Sequence, residues 1–317
     1  MRQTLREVAI VGTGLVGCSW AVDFALGGAN VRIFDQNEAT RTGAPARIKT
    51  MLADMEAAGL ADHVEDALKR VSVAATLAAA IDGADYVQES VFERVDVKTA
   101  VALEIGKLIN GEVVVGSSSS GIPASSFTAG APNRNRFVIA HPVNPPHLVP
   151  VVELVPAPWT DPEIVPWLRA RLTEVGKVPV EVKREIDGFI LNRLQGALLN
   201  EAWALFEEGY ATTADIDATI SQGLGLRWAF MGPFETIDLN APGGVSDYAD
   251  RLAPLYFRVA EQRISPRKWS PELVARVTAE RRAALPLEDL PKRSQWRDRR
   301  LVQLVAHLRR QRAQEDG

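Results

Sequence analysis

Residues 8–17 read V-A-I-V-G-T-G-L-V-G, and the next apolar run, V-R-I-F, ends in Asp35. A strand-type run that enters a G-x-G-x-x-G turn and leaves it as a helix admits few folds. Gly12 allows the tight turn, Gly14 lets the backbone approach a diphosphate, and Gly17 lets the helix pack closely on the sheet. The helix start at Leu15 and Val16 presents free amide donors and a positive dipole end to an anion. Asp35 closes the second strand, where a carboxylate accepts both ribose hydroxyls of an adenosine half and repels a 2′-phosphate. The spacing therefore predicts a dinucleotide site that prefers NAD(H) to NADP(H). Residues 15–27 are expected to form an amphipathic helix.

The first half of the chain alternates strand-type and helical runs. Strands are expected near 7–11, 31–34, 71–74, 85–89, 113–117, 136–140, 151–155 and 178–182, with helical patterns at 38–58, 95–109 and 162–175 between them. Such alternation builds a parallel, doubly wound sheet. Asp161-Pro162-Glu163 has the composition of a helix start, and 38–58 with 62–69 reads as a helical hairpin broken at Gly59. Beyond Gly188 no strand pattern remains, and helices are expected at 189–208, 213–222, 233–239, 247–262 and 271–285. Thr212 supplies a cap and Asp215 an early acid. The predicted fold class is thus α/β. A Rossmann-type NAD-binding domain over residues 1–187 is followed by an all-helical domain over residues 188–317. The tail, 295–314, is Arg-rich with Leu301, Leu304, Val305 and Leu308 at helical spacing. It reads as a surface helix with one apolar seam.

Several classes are disfavoured. The formal net charge of -4 argues against nucleic acid as a partner. The lone cysteine, Cys18, rules out a disulfide framework, fits a reducing cytoplasm, and reads as a small packed side chain. No apolar run spans a bilayer, and the N-terminus enters the first strand too soon for a signal peptide, so no membrane partner is expected. Four histidines without C-x-x-C or H-E-x-x-H give no expectation of a metal site.

An enzyme that oxidises an alcohol needs a base, a group that orients it, and donors for the substrate oxygen. Ser117 to Ser120 and Gly121 follow a strand at the edge where such sheets bind ligands. His141 ends the apolar run F-V-I-A. Glu153, a lone acid in V-P-V-V-E-L-V-P, requires a partner, and His141 is the obvious one. A His–Glu pair makes a base of fixed tautomer. Asn192, in D-G-F-I-L-N-R, opens the first helix after the boundary.

Together G-x-G-x-x-G, S-S-S-S-G, A-H-P-V-N-P, V-V-E-L-V and D-G-F-I-L-N-R-L resemble the L-3-hydroxyacyl-CoA dehydrogenase superfamily, as far as M-G-P-F-E at residues 231–235. The stretches H-P-V-N-P-P-H-L-V-P-V-V-E-L-V-P, N-E-A-W-A-L-F-E-E-G, G-L-G-L-R-W-A-F-M-G-P-F-E-T and Q-W-R-D are similar to its λ-crystallin and L-gulonate 3-dehydrogenase branch. The resemblance implies that His141 is the general base oriented by Glu153, that Ser120 bonds the reacting oxygen, and that Asn192 contacts substrate and places the nicotinamide. It implies that Glu93 and Lys98 line the nicotinamide ribose; read alone, they are an ordinary exposed helix start. It also implies a helical domain that forms a homodimer.

Substrate class rests on two regions. Arg41, Arg47 and Lys49 lie among Asp54 and Glu56, a basic patch too sparse for the phosphates of CoA. Arg227, after Gly223-Leu224-Gly225 and flanked by Leu226, Trp228 and Phe230, suits a bidentate grip on a small carboxylate. It equally suits a structural role capping a helix or pairing with Glu235. The expected substrate is a small free 3-hydroxy acid, L-gulonate first. L-carnitine, with Trp228, Phe230 and Tyr248 as a possible cage for its ammonium, and 3-hydroxybutyryl-CoA stay open. A binding-only NAD(H) protein or a structural crystallin-like protein is the other class. Retention of His141, Glu153, Ser120 and Asn192 together favours an enzyme.

Overall fold

The structure is a computed structural model and describes residues 4–263 and 268–315. Its residues fall into two compact units. The first comprises residues 1–195 and 295–317, and the second residues 196–294.

The first unit is built on one eight-stranded sheet in the order β3-β2-β1-β4-β5-β6-β7-β8. The strands are β1 (Glu7–Val11), β2 (Asn30–Phe34), β3 (Val71–Val73), β4 (Tyr86–Glu89), β5 (Val114–Ser117), β6 (Phe137–Pro142), β7 (Val151–Pro156) and β8 (Val178–Glu181). All neighbours run parallel except β6 and β7. Buried on both faces, β4, β5 and β6 show no exposed position, as expected of strands covered by helices on either side. The helices of this unit are α1 (Leu15–Leu26), α2 (Glu38–Ala57), α3 (Val64–Lys69), α4 (Leu77–Ile81), α5 (Val95–Leu108), α6 (Ser125–Thr128) and α7 (Ile164–Glu174). Helices α4 and α6 are a single turn or little more, too short to leave a periodic apolar pattern.

Helix α1 corrects the amphipathic expectation. Every residue from Gly17 to Ala25 is buried, because β1, β2 and β4 pack on one side and α2 and α3 cover the other. Trp20 and Phe24 are fully buried and stack with centroids 5.4 Å apart. Burying each such side chain contributes about 1.5–3 kcal/mol. Cys18 is buried in the same helix, its thiol bonded to the Thr13 carbonyl at 3.2 Å. Helix α7 starts at Ile164 rather than at Pro162. The Asp161 carboxylate is drawn to Asn135 at 2.6 Å and Arg136 at 3.2 Å and so caps nothing.

The helices that follow are α8 (Leu191–Glu207), α9 (Thr213–Ala218), α10 (Gly225–Trp228), α11 (Pro233–Leu239), α12 (Gly244–Glu261), α13 (Pro271–Ala284) and α14 (Leu290–Glu315). The run expected at 213–222 is α-helical only as far as Ala218. Thr219–Leu224 then forms a wider π-type turn that leads into α10. Thr212 does cap α9, accepting from the Asp215 amide. Within the second unit, Trp203 and Trp269 stack at 4.4 Å, and Arg263 pairs with Glu201 at 2.8 Å and Glu208 at 3.2 Å. The end of the chain groups with the first unit. There α14 buries Val302 and Ala306, and Arg309 bonds the Leu60 carbonyl at 3.1 Å. Leu304, expected in the apolar seam, is exposed instead. Among the described residues no helix is long and apolar enough to cross a membrane.

Candidate active site

The glycine turn between β1 and α1 has the shape its spacing implies. Gly12 adopts φ +95, and a β-carbon there would stand 2.5 Å from the Ser90 carbonyl oxygen. A β-carbon on Gly17 would run into the Gly12 carbonyl, whereas one on Gly14 meets nothing within 4 Å. The backbone at Gly14 therefore borders open space. Helix α1 begins there with no side-chain cap and no acid in its first turn, and Leu15 is 64% exposed. The first-turn amides, those of Leu15, Val16 and Gly17 among them, are thus free for an anion.

Asp35 follows β2 at the same edge. Its carboxylate accepts at Oδ2 from the Thr13 amide at 2.8 Å and the Thr13 hydroxyl at 3.4 Å, and at Oδ1 from the Asn37 amide at 2.9 Å, which leaves Oδ1 a further lone pair for a ribose hydroxyl. An open glycine cradle, an uncapped helix start and an anchored carboxylate fit a dinucleotide with an unmodified ribose. Arg41 and Arg47 are held here too. Arg41 donates to the Asp35 carbonyl at 2.8 Å, and Arg47 to the carbonyls of Thr13 at 2.9 Å and Thr40 at 2.7 Å.

Antiparallel pairing of β6 and β7 sets His141 directly opposite Glu153. Directly opposed residues of an antiparallel pair point to the same face. His141 Nδ1 donates to Glu153 Oε2 at 2.8 Å, with the two residues 5% and 1% exposed. Glu153 Oε1 accepts from the amides of Ile190 at 2.7 Å and Leu191 at 2.9 Å, at the start of α8. Burial works to raise the Glu153 carboxyl. The hydrogen bonds from His141, Leu191 and Ile190 outweigh it and hold the group below the usual carboxylate range. An ionised Glu153 fixes the proton on Nδ1 and leaves Nε2 as the basic nitrogen. The ring of Phe189 lies 5.8 Å from the imidazole.

The same helix start reaches the serine loop. Asn192 Nδ2 donates to the Ser120 carbonyl at 2.5 Å. Glu93 gathers the loop, accepting from Ser119 Oγ at 2.8 Å, the Ser120 amide at 2.8 Å and the Gly121 amide at 3.2 Å. Burial opposes ionisation of Glu93, but Lys98 and these donors hold its carboxyl low. Lys98 is 1% exposed and pairs with Glu89 at 3.0 Å and Glu93 at 3.5 Å, not a surface helix start at all.

Sequence reasoning missed Glu89. This buried acid accepts from Lys98, from Ser117 Oγ at 2.5 Å and from the Val91 amide at 2.7 Å, and so ties the serine loop to α5. Its signal was the same as that of Glu153, a lone acid closing the apolar run Y-V-Q-E.

The structure therefore joins His141 with Glu153, and Asn192 with Ser120, Glu93 and Lys98. The start of α8 is common to both groups. Arg227 belongs to the second unit, where it lies exposed in α10 and its guanidinium makes no hydrogen bond or ion pair among the described residues. The expected alternatives of helix capping or pairing with Glu235 do not occur there. No group of three metal-ligating side chains exists among the described residues.

Comparison with known proteins gives concordant matches. The NAD-binding domain of 3-hydroxyacyl-CoA dehydrogenases matches residues 7–186, and their C-terminal domain matches residues 188–284. Lambda-crystallin of Oryctolagus cuniculus is 40% identical over 310 residues, covering 96% of this chain and 97% of that protein. L-carnitine dehydrogenase of Streptomyces griseus is 37% identical over 257 residues, covering 80% of this chain and 75% of that protein. A solved structure of 5-formyl-3-hydroxy-2-methylpyridine 4-carboxylic acid 5-dehydrogenase, an NAD+-dependent dismutase, matches with TM-score 0.79 and 27% identity. It covers 96% of this chain and 98% of its own.

Proposed function

We propose, from the premise that this chain belongs to the 3-hydroxyacyl-CoA dehydrogenase family and is an NAD-dependent oxidoreductase, that it oxidises the 3-hydroxyl of a small free hydroxy acid, L-gulonate to 3-dehydro-L-gulonate. The observation that carries the chemistry is the buried His141–Glu153 pair at 2.8 Å. NAD+, when bound, supplies the hydride acceptor. His141 Nε2 takes the hydroxyl proton, and Glu153 stabilises the imidazolium that results. Ser120 Oγ and the Asn192 amide hold the oxygen that becomes the carbonyl. Glu93 and Lys98 line the nicotinamide ribose, while Gly12, Gly14, Leu15, Val16, Gly17 and Asp35 hold the rest of the cofactor.

Two features support a free acid over a CoA ester. Arg41 and Arg47 are committed to backbone carbonyls, which leaves Lys49 alone of the three basic residues of α2 without such a bond. Arg227, free of partners in its own unit, is assigned the substrate carboxylate. Replacing Arg227 by Ala is expected to raise KM for the acid about tenfold or more, the worth of a hydrogen bond to a charged group, with kcat little changed. Steady-state kinetics with saturating NAD+ checks this, and unchanged kinetics would remove Arg227 from the substrate site.

L-carnitine is the second reading, favoured by Trp228 and Phe230, both exposed beside Arg227 and suited to a quaternary ammonium. NADH formation with L-gulonate, L-carnitine, 3-hydroxybutyrate and 3-hydroxybutyryl-CoA separates these readings. Turnover of the CoA ester alone would sink the free-acid assignment.

Asp35→Ala is expected to narrow the preference for NAD+ over NADP+ by about tenfold, because the repelling charge is gone. Comparing kcat/KM for the two cofactors tests the ribose contact. We further assign residues 188–317 to substrate binding and homodimerisation. Exposed Phe230, Phe234 and Phe257 support that surface. A cytoplasmic location fits the single, buried Cys18.

A further inference from the structure

Beneath the N-terminal half of α1 lies a polar network that the proposed chemistry does not use. It comprises Trp20, Tyr86, Gln88, Ser90 and Ser118, and its hydrogen-bond directions can be worked out by counting donors. Tyr86 is fully buried and its hydroxyl has one partner, the Gln88 side chain. Burial pushes the Tyr86 phenol above its ordinary value, so it keeps its proton. Were the Gln88 amide turned to donate to Tyr86, the buried phenol would have no acceptor, which costs about 1–3 kcal/mol. Tyr86 therefore donates to Gln88 Oε1.

Gln88 Nε2 must then donate to Ser118 Oγ, 2.8 Å away. The indole of Trp20, which can only donate, reaches the same oxygen at 3.1 Å. A serine hydroxyl has two lone pairs, and both are now filled. Ser90 Oγ stands 2.8 Å from Ser118 Oγ, so Ser118 has to donate to Ser90. Ser90 in turn accepts inward, and its own proton points away from the network. No acceptor for that proton exists among the described residues.

Ser90 directly follows β4 and is half-buried. The Ser90–Val91 peptide is the group against which Gly12 is pressed, so Ser90 borders the turn that receives the cofactor diphosphate. We propose that Ser90 is a cofactor-binding residue whose hydroxyl donates to a diphosphate oxygen of the dinucleotide, aimed there by Ser118, Gln88, Trp20 and Tyr86. Tyr86 is a positioning residue. Its hydroxyl is the terminus that keeps Gln88 from turning over, and only then is Ser90 denied an inward acceptor. The inference rests on NAD binding and not on which acid is oxidised, so it is tested without substrate.

The experiment titrates NADH, ADP-ribose and adenosine against the full chain and against Ser90→Ala. The variant should bind NADH and ADP-ribose about tenfold more weakly, as for one lost hydrogen bond to an ionised acceptor. Adenosine binding should not change, and the melting temperature should fall only modestly, because the half-buried Ser118 hydroxyl loses its acceptor. NADH affinity within twofold of the parent, or an equal loss for adenosine, would overturn the assignment. Tyr86→Phe should weaken NADH about threefold, and the double variant Ser90→Ala/Tyr86→Phe should be no weaker than Ser90→Ala alone. Additive losses would show that Tyr86 does not act through Ser90. Ser90→Ala removes only a half-buried hydroxyl, so the proposal stays testable even if Tyr86→Phe fails to fold. Loss of turnover in His141 variants with NADH affinity intact bears on the catalytic reading alone.

Discussion

His141→Ala should lower kcat about 10²–10⁴-fold, the range of a lost general base, and leave the affinity for NADH nearly unchanged. The imidazole has one committed nitrogen, Nδ1, bonded to Glu153 at 2.8 Å. Its other nitrogen is the basic one, so nothing replaces it when the ring is removed. None of its bonds reaches the Gly12–Gly17 turn or Asp35, so cofactor binding has no reason to suffer. Truncation also strips a donor from the buried Glu153 Oε2 and costs about 1–3 kcal/mol of stability. His141→Gln is the control for that cost, because its amide can still donate to Glu153 while offering no base. Both variants should lose turnover alike, with His141→Gln melting closer to the parent. NADH appearance gives the rate and NADH fluorescence the affinity. Turnover within tenfold of the parent in either variant would remove His141 from the reaction.

What could be read from the sequence follows how local the deciding forces are. The alternation of strand and helix is written in the apolar runs themselves, and the glycine turn in the steric needs of Gly12 and Gly17, which act over a few residues. Glu153 was legible because a lone carboxylate in V-V-E-L-V demands a partner wherever it folds. Glu89 obeys the same rule but closes a run at the strand end, where an acid also fits solvent. Only the packing of α5 on β4 reveals its buried lysine. The burial of Lys98 is hidden for the same reason, since V-D-V-K read alone looks like a solvated first turn until Glu89 and Glu93 close around it. The burial of α1 on both sides depends on α2 and α3, and the commitment of Asp161 to Asn135 and Arg136 depends on strand order. The register of the tail is likewise set by what it packs against, so Leu304 is exposed while Val302 and Ala306 are buried.

Glu153→Gln should cost nearly as much turnover as loss of the base, about 10²–10⁴-fold in kcat, because tautomer and imidazolium stabilisation disappear together. The native carboxylate accepts three hydrogen bonds, from His141, Ile190 and Leu191. A glutamine has one acceptor oxygen. If it serves the two amides, its NH2 faces the imidazole, which must then move its proton to Nε2 to accept. That is the wrong tautomer for a base. If it serves His141, two amides at the start of α8 are left facing a donor, which costs about 1–3 kcal/mol. Either arrangement harms catalysis, and the second also loosens the helix start that carries Asn192.

The pH dependence of stability distinguishes this role from simple packing. The carboxyl of Glu153 is held below its ordinary range in the folded chain. Its contribution is therefore full above the unfolded-state value and is lost as the pH falls through the depressed folded one. The stability gap between the parent and Glu153→Gln should be widest near neutrality and shrink in acid. Denaturant unfolding of both proteins across the acid range measures it. A gap that stays constant with pH would mean that Glu153 acts through its shape and not through its charge.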